Sequence, residues 1–174
     1  MKRSTQLVDI REITVLALLA AILVAQQVVL VALPNVEIVT MMIILATVHL
    51  GWKVLFSVTV FIILEGFIYG FGMWWVNWLY VWYILVAVVM ALRKYSHPVL
   101  WTLVAGIYGL IFGVLCSVPY FITGGWAAGI TYIITGIPYD ITHCVGNVVF
   151  TALLFYPLDK IFGRCVKSVC VKTT

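Results

Sequence analysis

Apolar residues run almost without interruption along this chain, broken at short intervals by polar residues, glycines and prolines. The first run spans about Glu12 to Leu33 and stops at Pro34-Asn35. A shorter run, Val36 to Leu50, ends at Gly51-Trp52-Lys53. The third covers Val54 to Tyr69 and is punctuated by Gly70-Phe71-Gly72. The fourth covers Trp75 to Leu92 and stops at Arg93-Lys94, and Ser96-His97-Pro98 makes the next turn. The fifth covers Val99 to Ile122. A long glycine-containing connection, Thr123 to Gly136, leads to the sixth, Ile137 to Phe162. A helix needs about 20 apolar residues to cross a bilayer, so the pattern predicts an all-α membrane protein: one domain over residues 1–174, built as a bundle of six transmembrane helices. The second run is short for a full span. The first is too long for a signal-peptide core and has no clear A-x-A cleavage site, so it reads as a retained helix.

Composition strengthens this class. The 174 residues are 65% hydrophobic and 9% charged, with a mean hydropathy of +1.19. A soluble domain carries about 25% charged residues to cover its wet surface. Six spans leave no room for a soluble ATPase or receptor domain, which must come from another chain. The four cysteines, Cys116, Cys144, Cys165 and Cys170, form no CxxC pair and predict neither a disulfide framework nor a zinc site.

Charge then gives orientation. The ten basic residues are Lys2, Arg3, Arg11, Lys53, Arg93, Lys94, Lys160, Arg164, Lys167 and Lys172. With six helices, all of them fall at the N-terminus, the second–third and fourth–fifth connections, and the C-terminus. Basic residues are retained on the cytoplasmic side, which places both termini in the cytoplasm of a multi-pass cell-membrane protein. The net charge of +4 reflects this inner rim and does not suggest a nucleic-acid partner.

The opposite connections are aromatic. Residues Tyr69 to Tyr83 read YGFGMWWVNWLYVWY, with Trp74, Trp75 and Trp78 interleaved with Asn77 and followed by Tyr80; Asn35, Glu37, Trp126 and Tyr132 share that face. Two readings fit. One is a belt of rings at headgroup level. The other is an aromatic-lined pocket with a few polar groups, the usual form of a small-molecule site.

Ionisable residues at membrane depth need a partner or a water-filled cavity. Glu65 sits near the outer end of the third run. Asp140, His143 and Asn147, spaced three and four apart, share one face of the sixth. They form either a packing cluster, with Asp140 and His143 satisfying each other, or contacts to a bound solute. His49 reads as an interfacial histidine. The chain has no HExxH, no GxSxG and no second aspartate at matching depth, so no catalytic residue is assigned and the protein is not read as an enzyme.

Ala17, Ala21 and Ala25 make a smooth stripe on the first helix. Small residues let membrane helices approach closely, either within the chain or against a partner. With this stripe, the PNVEIVTMMIIL segment and the PYDITHCVGNVVF segment, the whole chain resembles the substrate-binding S components of energy-coupling factor (ECF) vitamin transporters. That resemblance implies a six-helix protein that holds a vitamin beneath its outer loops. It also implies a transmembrane coupling subunit docked on the alanine stripe, and two ATPase subunits. The protein would then topple in the membrane to release its cargo inward, and hydrolyse nothing itself. The substrate contacts implied are Asn35, Glu65, Trp74, Trp75, Asn77, Trp78, Tyr80, Trp126, Asp140, His143 and Asn147, and the Thr123–Gly136 connection would be a gate.

The LPNVEIVT and YGFG-WWxNWLYVW segments look closest to members proposed for cobalamin, so a corrinoid is the first expectation. The outer face has no basic residue to meet a phosphate or carboxylate. A cationic or neutral ring, met by tryptophans and acids through cation–π contact, also fits. A stand-alone secondary carrier or small channel for a micronutrient is the competing expectation. It would use Glu65 or Asp140 as a relay, although no inverted repeat is visible. No cofactor or metal is expected.

Overall fold

A computed structural model describes residues 10–32, 37–95 and 97–170, and every regular element among them is helical. The order is α1 (Ile10–Leu30), α2 (Val39–Leu50), a 3-10 turn (Gly51–Lys53), α3 (Val54–Tyr69), α4 (Met73–Leu92), α5 (Pro98–Cys116) and α6 (Val118–Cys170). Many of these residues are β-branched or aromatic and would suit strands in water. In hydrocarbon an unpaired backbone N–H or C=O costs several kcal/mol, and the helix pairs them within one segment. Five segments are long and apolar enough to cross a membrane: Ile10–Leu30, Val39–Tyr69, Met73–Leu92, Pro98–Cys116 and Val118–Val166.

The 31-residue stretch Val39–Tyr69 is two legs rather than one rod. α2 has 12 residues, roughly 18 Å of helix, too little to cross alone. At its end Gly51 takes φ +61°, a left-handed conformation that a side chain resists, and the chain turns back into α3, which packs on α2. The two legs take different partners. His49, at the end of α2, meets Asp159 of α6. Lys53 pairs with Glu12 of α1, and Ser57 of α3 donates to the Leu16 carbonyl at 2.7 Å.

Nine of the twelve α2 residues are buried. The helix lies among α3, α4, α5 and α6, with Met41, Ile43, Ile44 and Leu45 in the core. α1 is peripheral. It buries Leu16, Leu19, Ala20 and Leu23, and packs chiefly on α3. Large apolar side chains such as Phe56, Phe67 and Leu153 point outward and are exposed, as a hydrocarbon-facing surface permits and a wet one does not.

Basic side chains gather at one end of the bundle. Arg93 donates from Nε to the Val48 carbonyl at 2.7 Å and lies beside the His49 carbonyl. The Lys53–Glu12 and His49–Asp159 pairs complete this basic end. The opposite end carries Trp74, Trp75 and the α5–α6 connection.

That connection differs from the sequence expectation. Thr123–Gly136 is helical apart from one break at Gly125, where φ is +72°. α5 bends at Ser117, continues over residues 118–124, turns at Gly125 and returns as the long limb 126–170. Two of its glycines, Gly124 and Gly129, serve close approach. A Cβ on Gly129 would overlap the Phe121 ring, and Tyr120 stacks on Tyr132 at 4.1 Å between centroids. The bounds Ile122 and Ile137 expected for the fifth and sixth helices are therefore absorbed into one helical hairpin.

Candidate functional site

The inward face of α6 carries Asp140, His143, Asn147 and Thr151, all buried. α5 accepts this polar face through glycines. The Gly113 N–H donates to Asp140 Oδ1 at 2.9 Å. A Cβ on Gly113 would overlap the Asp140 carboxylate, and one on Gly109 would stand 2.8 Å from the Cys144 nitrogen. Asn147 donates from Nδ2 to the Ala105 carbonyl at 3.1 Å.

Asp140 and His143 do not satisfy each other, contrary to the packing reading of their spacing. His143 Nε2 lies 2.8 Å from Glu37 Oε1, and Asp140 turns to the α5 backbone. Glu37 also receives the Thr40 N–H at 2.9 Å and the Thr40 hydroxyl at 2.5 Å, so it ties the start of α2 to α6. Among the described residues, six buried side-chain atoms have no hydrogen-bond partner: Glu65 Oε1, Trp82 Nε1, Trp101 Nε1, His143 Nδ1, Asn147 Oδ1 and Thr151 Oγ1. An unmet buried polar atom costs about 1–3 kcal/mol, and three of the six, His143 Nδ1, Asn147 Oδ1 and Thr151 Oγ1, fall in a row on one face of α6.

The aromatic residues are interlocked. Trp74, Trp78 and Trp82, one turn apart on α4, meet edge to face, and Trp78 stacks on Phe61 at 5.2 Å. The series continues through Phe112, 5.7 Å from Trp82 and 4.8 Å from His143. Trp75 donates to the Ile62 carbonyl at 2.9 Å. Tyr80 donates to the Leu115 carbonyl at 2.6 Å beside the buried Asn77. These rings tie α4 to α3 and α5 as much as they line an opening. Trp126 stands apart from them at the hairpin tip, 80% exposed against Phe121. Asn35 lies outside the described residues. Between the limbs of the hairpin lies a shallow, open hollow lined by Tyr120, Tyr132, Thr131 and Thr135 among others.

Ala17, Ala21 and Ala25 are all exposed on α1, opposite its buried leucines. The stripe does not pack within the described part of the chain. His49 is more than an interfacial residue, since its Nε2 lies 2.7 Å from Asp159 Oδ1.

No protein-family model matches the chain, and no curated protein or solved structure is significantly similar to it. Its function must therefore be argued from these residues. Reasoning from sequence missed Glu37 as a partner of His143, because the two are 106 positions apart. It also missed Thr151, although the i+4 step from His143 to Asn147 continues to it.

Proposed function

We propose that the protein is the S component of an ECF-type vitamin importer. It captures its solute at the aromatic end and delivers it inward with a coupling subunit and two ATPases. On this reading α2, although too short to cross the hydrocarbon alone, and α3 count as separate legs of six, and the basic end faces the cytoplasm with both termini. Asp140 and Asp159 are nineteen residues apart, roughly 28 Å along the helix, close to the thickness of the hydrocarbon core of ~30 Å. The α5–α6 hairpin tip then stands outside the membrane, over the polar face of α6. The solute is a corrinoid or another bulky ring lacking strong negative charge, because no Lys or Arg occurs between Lys94 and Lys160.

The observation that carries this reading is the exposure of the whole Ala17–Ala21–Ala25 stripe on α1. A smooth helix face with nothing of the described residues against it suits a membrane partner that packs closely. The test is co-purification with a coupling subunit and its ATPases. Ala21→Trp should abolish assembly while leaving the isolated protein folded, and undiminished assembly of that variant would count decisively against the proposal.

Glu65 favours a second reading, a stand-alone carrier. It is buried at 1% exposure with an unpartnered oxygen, as a proton or cation relay would be. Uptake into vesicles without ATP or partner subunits, lost in Glu65→Gln, would favour it.

A further inference from the structure

His143, Asn147 and Thr151 follow one another at i+4 steps on α6. Each is at most 3% exposed, and each keeps one atom without a partner. The partners already made fix what those atoms can do. Asn147 gives its Nδ2 to the Ala105 carbonyl, so the amide oxygen is the free end and can only accept. Glu37 accepts twice from Thr40; where it is a carboxylate it accepts from His143 as well, and the proton of that contact sits on His143 Nε2. In the neutral ring Nδ1 is then a bare acceptor. The Thr151 hydroxyl can accept or donate. Around this row stand the carboxyl groups of Glu37 and Asp140, and no Lys or Arg occurs between Lys94 and Lys160.

We infer that the His143–Asn147–Thr151 row is a hydrogen-bond-acceptor subsite that takes the N–H or O–H groups of a carboxamide or ammonium on the solute. This rests on the solute-binding reading above and extends it to Thr151 and to a class of ligand group. Carboxylates and phosphates are disfavoured because they bring acceptors to the Asn147 oxygen and His143 Nδ1, with two acids nearby and no cation to offset them; of the row's three unpartnered atoms, only the Thr151 hydroxyl could donate to them. Discrimination of this kind comes from leaving buried groups unpaired with the wrong ligand, which is stronger than discrimination by shape alone. Gly109 and Gly113 keep α5 close against the row, so the hairpin has to loosen as the solute's polar arm enters.

Two measurements test this. The first needs no ligand. In the protein labelled with ¹⁵N-histidine, with His143 assigned through His143→Asn, Nδ1 should show as an unprotonated nitrogen. A protonated Nδ1 overturns the inference directly. The second is calorimetry with two probes, cyanocobalamin and its monocarboxylates made by hydrolysing peripheral amides. The wild type should prefer the amide form by tenfold or more. Asn147→Leu and Thr151→Val should erase most of that preference, and Thr151→Ser should restore it. Equal preference in the wild type and both variants would overturn the subsite while leaving solute binding intact. If neither probe nor thiamin, whose donors are an aromatic amine and a hydroxyl, binds the wild type, both the subsite and the S-component reading fall.

Discussion

Glu37 and His143 show how much one residue pair decides here. Glu37 precedes α2 and His143 sits 106 positions later, yet their contact holds the start of the central helix against α6. Both are buried, with His143 at 3% exposure and Glu37 at 9%. Removing one member of such a pair leaves the other unmet in a low-dielectric interior, which costs about 3 kcal/mol or more. Glu37→Ala and His143→Ala should each lower resistance to SDS unfolding by about that much. In the double variant the second change should cost much less than it does alone, because the groups act as a unit. Additive losses would mean that the pair contributes nothing as a pair. At the other end of α2 the polarity is swapped: His49 belongs to α2 and the acid, Asp159, to α6. The short helix is thus tied to α6 at both ends by a histidine and a carboxylate.

At the scale of elements, the α5–α6 pairing stands out. Gly106, Gly109 and Gly113 present a bare strip of α5 to α6, and each Cβ that could be added would meet α6 atoms. Close approach lets the Asp140 carboxylate reach a helix backbone N–H, and it lets Asn147 reach the Ala105 carbonyl. Overpacking such a site costs about 1–3 kcal/mol. Gly113→Ala should lower the melting temperature in detergent and displace Asp140, whereas Gly136→Ala, whose Cβ meets open space, should be neutral. Equal effects of the two changes would remove the close-approach argument. A second set of glycines lies in the connection between the fifth and sixth runs. Gly124, Gly125, Gly129 and Gly136 look like a flexible loop in a linear string. Only Gly125 takes a positive φ there, and Gly129 is needed for the Phe121 ring.

For the molecule as a whole, two of the basic residues grouped by sequence, Lys53 and Arg93, sit at the same end of the bundle. Arg93 reaches back to the end of α2, and Lys53 reaches α1. Single cysteines introduced at Lys53 and Lys94, in a background with native cysteines replaced, should be blocked only by reagents that cross the membrane. Cysteines at Phe71 and Gly125 should react from outside intact cells. Labelling of position 53 from outside would overturn the proposed six-crossing topology.

What the sequence determined by itself is whatever depends on composition and on local period. A chain so apolar cannot cover itself with polar groups, so its helices and its hydrocarbon-facing surface follow from the string alone. So does the segregation of Lys and Arg, which is a count along connections, and so does the shared face of His143 and Asn147, which is an i+4 spacing. Tertiary structure alone decided which partner each polar group takes: Glu37 rather than Asp140 for His143, a backbone N–H for Asp140, Asp159 for His49. It also decided that the alanine stripe faces outward while the neighbouring leucines turn in. Hydrogen bonds between residues a hundred positions apart depend on how whole helices pack. That packing is set by where glycines allow backbones to meet and where large rings hold them apart, and no local period records it.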